Sequence, residues 1–95
     1  MRLELSRKAK ADLDDIRDYS VQRFGEARAI LYLDPIEQAF RRILQFPESG
    51  ASRSDLSTEL RSISVGRHRL YYRVYAERVR IVRILHHAME IERHL

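Results

Sequence analysis

The spacing of apolar residues changes once along this chain, near Leu60. Ahead of that point they recur every three or four positions, as on one face of a helix. Beyond it they alternate, as on a half-buried strand. Runs of helix followed by runs of strand point to an α+β fold, with helices packed on a small antiparallel sheet. At 95 residues the chain has room for one core of two layers, so residues 1–95 are read as a single domain.

The first part of the chain is well punctuated. Arg2–Leu5 alternates and predicts a short strand, and Ser6 is a suitable helix N-cap. Residues 7–23 carry a helical stripe of Ala9, Leu13, Ile16, Ser20 and Phe24, with Tyr19 beside it, and Gly25 provides the stop. A second helix is expected from about Glu26 to Phe46, with Ala27, Ile30, Leu33, Ile36, Phe40, Ile43 and Leu44 as its apolar positions. Pro35 interrupts this segment, but the stripe keeps its phase, which predicts one helix kinked near Leu31–Pro35. The two helices form an antiparallel hairpin about Gly25. Pro47 ends the second helix, and residues 48–58, rich in Ser, Gly and Asp, read as a loop.

Three strands follow: Arg61–Val65, His68–Tyr75 and Arg78–His86, joined by turns at Gly66-Arg67 and Ala76-Glu77. Residues 89–95 read as a short helix or an extended tail. The element order is thus β-α-α-β-β-β. Pairing Tyr75 with Arg78 sets Val74 against Val79, Tyr72 against Ile81, Leu70 against Arg83 and His68 against Leu85. One face then gathers His68, Leu70, Tyr72, Val74, Val79, Ile81 and Leu85, broken only by Arg83. The other carries Arg69, Tyr71, Arg73, Tyr75, Arg78 and Arg80, with Val82 and Ile84 at its far end. A slip of one residue would mix arginines and valines on both faces. Leu13, Ile16, Phe40, Ile43, Leu70 and Ile81 are the expected core.

Charge is concentrated in the stranded half. Residues 1–48 balance 9 basic against 9 acidic side chains, whereas residues 49–95 carry 9 against 5. Sixteen of the 18 basic residues are arginine, the cation suited to planar, bidentate contacts with carboxylate or phosphate. The partners this favours are a nucleic acid or an acidic protein. Arg73 and Arg80, directly opposed, repel one another, which does not help a sheet. Tyrosines alternating with arginines make either a binding face for flat contacts or a solvated face of amphipathic side chains. Arg83 sits in phase with apolar neighbours. It is either a structural ion pair with an acid of the helices or a functional group lining a concavity.

Other chemistries find little support. The chain has no cysteine, which excludes disulfides, thiolate metal sites and cysteine nucleophiles. His86 and His87, adjacent on a strand, are expected to point to opposite faces and so cannot grip one metal ion. There is no glycine-rich phosphate loop and no Ser/His/Asp pattern. No cofactor, metal or small-molecule substrate is therefore expected. No apolar run approaches membrane-spanning length and no signal-like segment opens the chain, so a cytoplasmic protein without membrane contact is expected.

Three stretches resemble a known family, the ParE-type toxins of the RelE/ParE superfamily of type II toxin–antitoxin modules. Leu5-Ser-Arg-Lys-Ala-Lys-Ala-Asp-Leu-Asp-Asp-Ile16 is similar to the family's first helix opening. Leu60-Arg-Ser-Ile-Ser-Val-Gly-Arg-His-Arg-Leu-Tyr-Tyr-Arg-Val74 is similar to its central hairpin. Val82-Arg-Ile-Leu-His-His-Ala-Met-Glu-Ile-Glu-Arg-His-Leu95 resembles the ending of ParE proper. The resemblance implies the β-α-α-β-β-β fold and a poison of DNA gyrase acting on the gyrase–DNA complex. It also implies neutralisation by a cognate, ParD-like antitoxin and no catalysis by the toxin itself.

Sister families on the same fold are ribosome-dependent mRNA endoribonucleases of the RelE type. Arg61 and Arg83 match arginine positions of their site, and His86 or His87 could imitate its acid. The lack of any lysine after Lys10, and of any tyrosine after Tyr75, weakens that alternative. The expected toxic surface comprises Arg61, Arg69, Arg73, Arg80, Arg83, His86 and His87. The antitoxin is expected on the helical hairpin at Leu13, Ile16 and Tyr19, and along the basic sheet at Tyr71 and Tyr75.

Overall fold

A computed structural model describes residues 1–57, 59–89 and 91–94, with the side chain of Glu92 left out. Strand β1 (Arg2–Leu5) leads into helices α1 (Arg7–Phe24) and α2 (Glu26–Gln45). Strands β2 (Ala51–Ser52), β3 (Leu60–Val65), β4 (His68–Val74) and β5 (Arg78–His86) follow, then a single 3₁₀ turn at Ile91–Arg93. The helical hairpin lies on one face of a five-stranded sheet of order β1-β5-β4-β3-β2. Among the described residues, no helix is long and apolar enough to cross a membrane.

Local chemistry accounts for the helix boundaries. The Ser6 hydroxyl accepts the Ala9 N–H at 2.9 Å and donates to the Val82 carbonyl at 2.7 Å, so one side chain caps α1 and ties it to β5. Gly25 sits between the helices at φ 81°, where its N–H closes onto the Val21 carbonyl. Helix α2 continues through Pro35. Its buried side is Ala29, Ile36, Ala39 and Ile43, with Leu33 and Phe40 half-buried. Ala27 and Ile30, expected on that stripe, face outward, and Phe24 at the end of α1 is also exposed.

The sheet departs from expectation in three ways. First, it is mixed: β1 adds to β5 in parallel, with Leu3 opposite Val79 and Leu5 opposite Ile81. Alternation reveals a strand but not its direction. Second, the loop over residues 48–58 contains β2, whose two residues pair with Arg61 and Ser62. Third, β5 bulges. Val74, Arg73 and Tyr72 face Val79, Arg80 and Ile81 as expected, but Tyr71 then faces Arg83, leaving Val82 unpaired. Leu70 consequently faces Ile84, and His68 faces His86. One extra residue exchanges the faces of everything after it. Ile84 thereby joins the helix-side core, where an unbulged strand would have driven Arg83 into it.

That core comprises Ala9, Ile16, Ile36, Ala39, Ile43, Leu70, Tyr72, Val79, Ile81 and Ile84, with Leu13 and Phe40 packed against it. Tyr72 satisfies its hydroxyl by donating to the Pro47 carbonyl and accepting the Gly50 N–H, both at 2.8 Å. Gly50 is required at this contact, because a Cβ there would lie 2.5 Å from that hydroxyl. A second, smaller cluster on the opposite face joins Leu60, Tyr71, Leu85 and Ile91, with Leu56 and Val82.

Candidate macromolecular interface

The arginines of the sheet divide into two groups. Arg83 lies where β5 runs past the end of β1. Its Nε and Nη2 donate to the Asp12 carboxylate at 2.8 and 2.7 Å, and its Nη1 donates to the His94 carbonyl. Asp12 also accepts the Ile84 N–H at 3.0 Å, so α1 supplies the partner that a neighbouring strand would have given. Both side chains are only 13% exposed. The bond to Asp12 holds the guanidinium above its ordinary pKa, against the desolvation that opposes it. Of the two readings open for Arg83, the geometry is that of a structural ion pair with an acid of the first helix. Arg61 is committed in a similar way. Its Nη1 donates to the carbonyls of Gly50 at 2.9 Å and Glu48 at 3.3 Å, holding the loop after α2.

The other group lies on the face away from the helices. Glu4, Arg80, Arg73 and Leu60 form one row across four strands. Arg73 and Arg80 are directly opposed. Arg80 donates to Glu4, which also lies 3.6 Å from Arg78 Nε, and Arg73 Nη2 donates to Ser57 Oγ at 2.6 Å. Arg78 stacks over the Tyr75 ring at 4.5 Å. Arg69 is half-buried, opposite Leu85 and Ser64, and makes no ion pair among the described residues. One carboxylate thus serves Arg80 and Arg78 in a cluster of half-buried arginines, and Arg78 Nε is buried without a hydrogen-bond partner among the described residues.

The histidines meet at one end of the sheet. His86 is the last residue of β5, so strand alternation does not separate it from His87. Instead their rings stack with centroids 4.4 Å apart. His68 meets His86 edge-on at 5.5 Å and Tyr32 at 6.4 Å. His87 Nδ1 is 2.9 Å from the Arg67 carbonyl. Burial lowers the His68 pKa, and His86 and His87 lower it further, with Asp12 opposing them. Between this group and the hairpin lies a cleft of about 250 Å³, lined by Asp15, Tyr19, Tyr32, Arg67, His68 and His86. Among the described residues, no three His, Asp or Glu side chains group as a metal site requires.

The residues expected to receive an antitoxin are scattered. Tyr19 is 59% exposed and Tyr75 partly so. Ile16 is buried and Leu13 half-buried in the helix-side core, while Tyr71 is 4% exposed within the second cluster. Ile16 and Tyr71 support the fold from within, and Leu13 is partly open. What the periodicity overlooked is an apolar patch near the hairpin tip, where Phe24 stacks on Tyr32 at 6.1 Å beside the 73% exposed Leu31. Its signal was Leu31, an apolar residue out of phase with the buried stripe.

Residues 3–91 match the family model described as the ParE toxin of the type II toxin–antitoxin system parDE. The chain belongs to the ParE toxin family. It is 41% identical over 91 residues to Toxin ParE1 of Caulobacter vibrioides, covering 96% of this chain and 94% of that one. It is 35% identical over 92 residues to Toxin ParE1 of Mycobacterium tuberculosis, with the same coverage. A solved structure, the chromosomal ParDE TA system from P. aeruginosa, superimposes with a TM-score of 0.75 at 28% identity, over 90% of this chain and 95% of that one. The fold seen here is thus that of a ParE-family toxin, with element order β-α-α-β-β-β once the two-residue β2 is set aside.

Proposed function

We propose that this ParE-family toxin, acting as one domain in the cytoplasm, binds the DNA gyrase–DNA complex and traps it with DNA cleaved. It does so by recognition, without catalysis of its own, and a ParD-like antitoxin holds it inactive. One observation carries this reading. Arg61 and Arg83, the two arginines at positions matching the ribonuclease site, are spent on internal contacts, while Arg69, Arg73 and Arg80 lie on the face away from the helices. A nuclease needs its cations aimed at a scissile phosphate. A gyrase poison needs only a cationic face for acidic protein or DNA phosphate.

The antitoxin is read as covering two surfaces. An amphipathic helix fits the apolar patch of Tyr19, Phe24, Leu31 and Tyr32, and an acidic segment fits the arginines. The resemblance to a solved ParDE system supports such a partner. The test is a pair of assays on purified toxin. Cleaved-DNA complexes with gyrase, and intact mRNA on ribosomes, are expected. Cut mRNA with unaffected gyrase would replace this reading by the endoribonuclease one.

A further inference from the structure

We propose that the outer edge of β3, beyond the end of β2, is a docking ledge for an extended, carboxylate-bearing segment of a protein partner. The proposal deepens the antitoxin reading and rests on it for the source of that segment. Strand β2 covers β3 only at Arg61 and Ser62, and the Arg53 N–H donates to the Leu60 carbonyl at 2.7 Å. Backbone groups alternate sides along an antiparallel strand, so Leu60, Ser62 and Ser64 all turn theirs toward this edge. Ser64 lies past the last residue of β3 that β2 reaches, and it is exposed.

Exposed edges are commonly blunted by lysine, proline, a bulge or a covering element. Among the described residues, none of these protects Ser64. The bulge seen among them is in β5, and α2 stands back from the edge. Between them runs a groove of about 540 Å³ lined by Pro35, Gln38, Ala39 and Arg42 of α2 and by Ile63 through Gly66. An added strand needs about 4.8 Å beside its neighbour, and its alternate side chains would fall onto Ala39 and Ile63.

Charge selects the occupant. Arg42 lines the groove and Arg67 stands just past the Gly66 turn. Both are exposed, and neither makes an ion pair among the described residues. A second copy, paired edge to edge about Ser64, would bring these arginines toward their own counterparts in a chain of net charge +4. A segment with glutamate or aspartate at alternate positions meets them favourably.

The probe is a capped seven-residue peptide alternating valine and glutamate, titrated to about 1 mM against the isotope-labelled toxin and followed by NMR. Amide shifts confined to Ile63–Gly66 and the facing turn of α2 are expected. Methylating the three central peptide nitrogens should abolish them. Replacing glutamate by lysine, or Arg42→Glu in the toxin, should weaken binding about two- to fivefold. No binding, shifts elsewhere, or undiminished binding of the methylated peptide would overturn the ledge. Ser64→Pro, with its fold verified by the core methyl signals, gives a second arm. If a cognate antitoxin neutralises wild-type and Ser64→Pro toxin equally, the antitoxin reading stands and the ledge falls. If it neutralises neither while the peptide still seats on the wild-type toxin, the ledge stands and that antitoxin falls.

Discussion

The arginines held inside the fold and those on the open sheet face are the same residue put to opposite uses. Arg83 receives a bidentate carboxylate, and Arg61 receives two carbonyls, each from a fixed internal acceptor. On the open face, Arg73, Arg78 and Arg80 share Glu4 and the Ser57 hydroxyl, and two of them oppose each other directly. An enclosed guanidinium without its partner is costly, so the inner arginines are bound to stability. A half-buried one on an open sheet face, still reached by solvent, contributes little to folding and can serve recognition. Perturbing each group in turn, from the most enclosed to the least, tests that division.

The largest effect is expected at Asp12. Asp12→Ala strands Arg83 and the Ile84 N–H together, and should cost about 3–5 kcal/mol by denaturant melt. A loss under about 1 kcal/mol would place Arg83 with the solvated group instead. Tyr72→Phe comes next, removing the hydroxyl that joins Pro47 to Gly50, with an expected cost of about 1–3 kcal/mol. Its measurement is the same melt, and no change would mean the loop after α2 does not depend on this link.

A gentler test is pH. The folded pKa of His68 lies below its ordinary value, about 6.5. The unfolded chain therefore binds more protons in this window. The stabilisation is complete above about pH 6.5 and is lost progressively as pH falls toward the lowered folded value. His86, His87 and Asp12 set the field at this ring, and Asp15 and Arg67 line the cleft beside it. Thermal melts between pH 7.5 and 5.5 should show the decline, and His68→Gln should flatten it. A slope unchanged in His68→Gln would assign the effect to another group. The smallest stability effect belongs to the open face, where Arg73→Ala with Arg80→Ala should shift stability by no more than about 0.5 kcal/mol.

Much of the fold was legible because its signals are local. Ser6, Gly25 and Pro47 bound the helices, and alternation after Leu60 announces the long strands. The features that escaped are those a local pattern does not encode. The direction of β1 depends on the path of the hairpin between it and the sheet. Strand β2 is too short to alternate. The Val82 bulge left a trace in Arg83, an arginine in phase with valine and isoleucine. The oddity marks a register change and not a special property of the side chain. The site was legible in its composition and less so in its membership. An arginine cluster is visible in sequence, but which arginines are spent indoors depends on Asp12, Gly50 and Glu48, all remote in the chain.

On this reading the open-face arginines exist for recognition. Its most direct test is gyrase poisoning by the double variant Arg73→Ala, Arg80→Ala, measured as cleaved-DNA complexes with purified gyrase after the variant is shown to melt like the parent. An unchanged melt with poisoning reduced about tenfold or more is expected. A folded variant that poisons gyrase as well as the parent would contradict it.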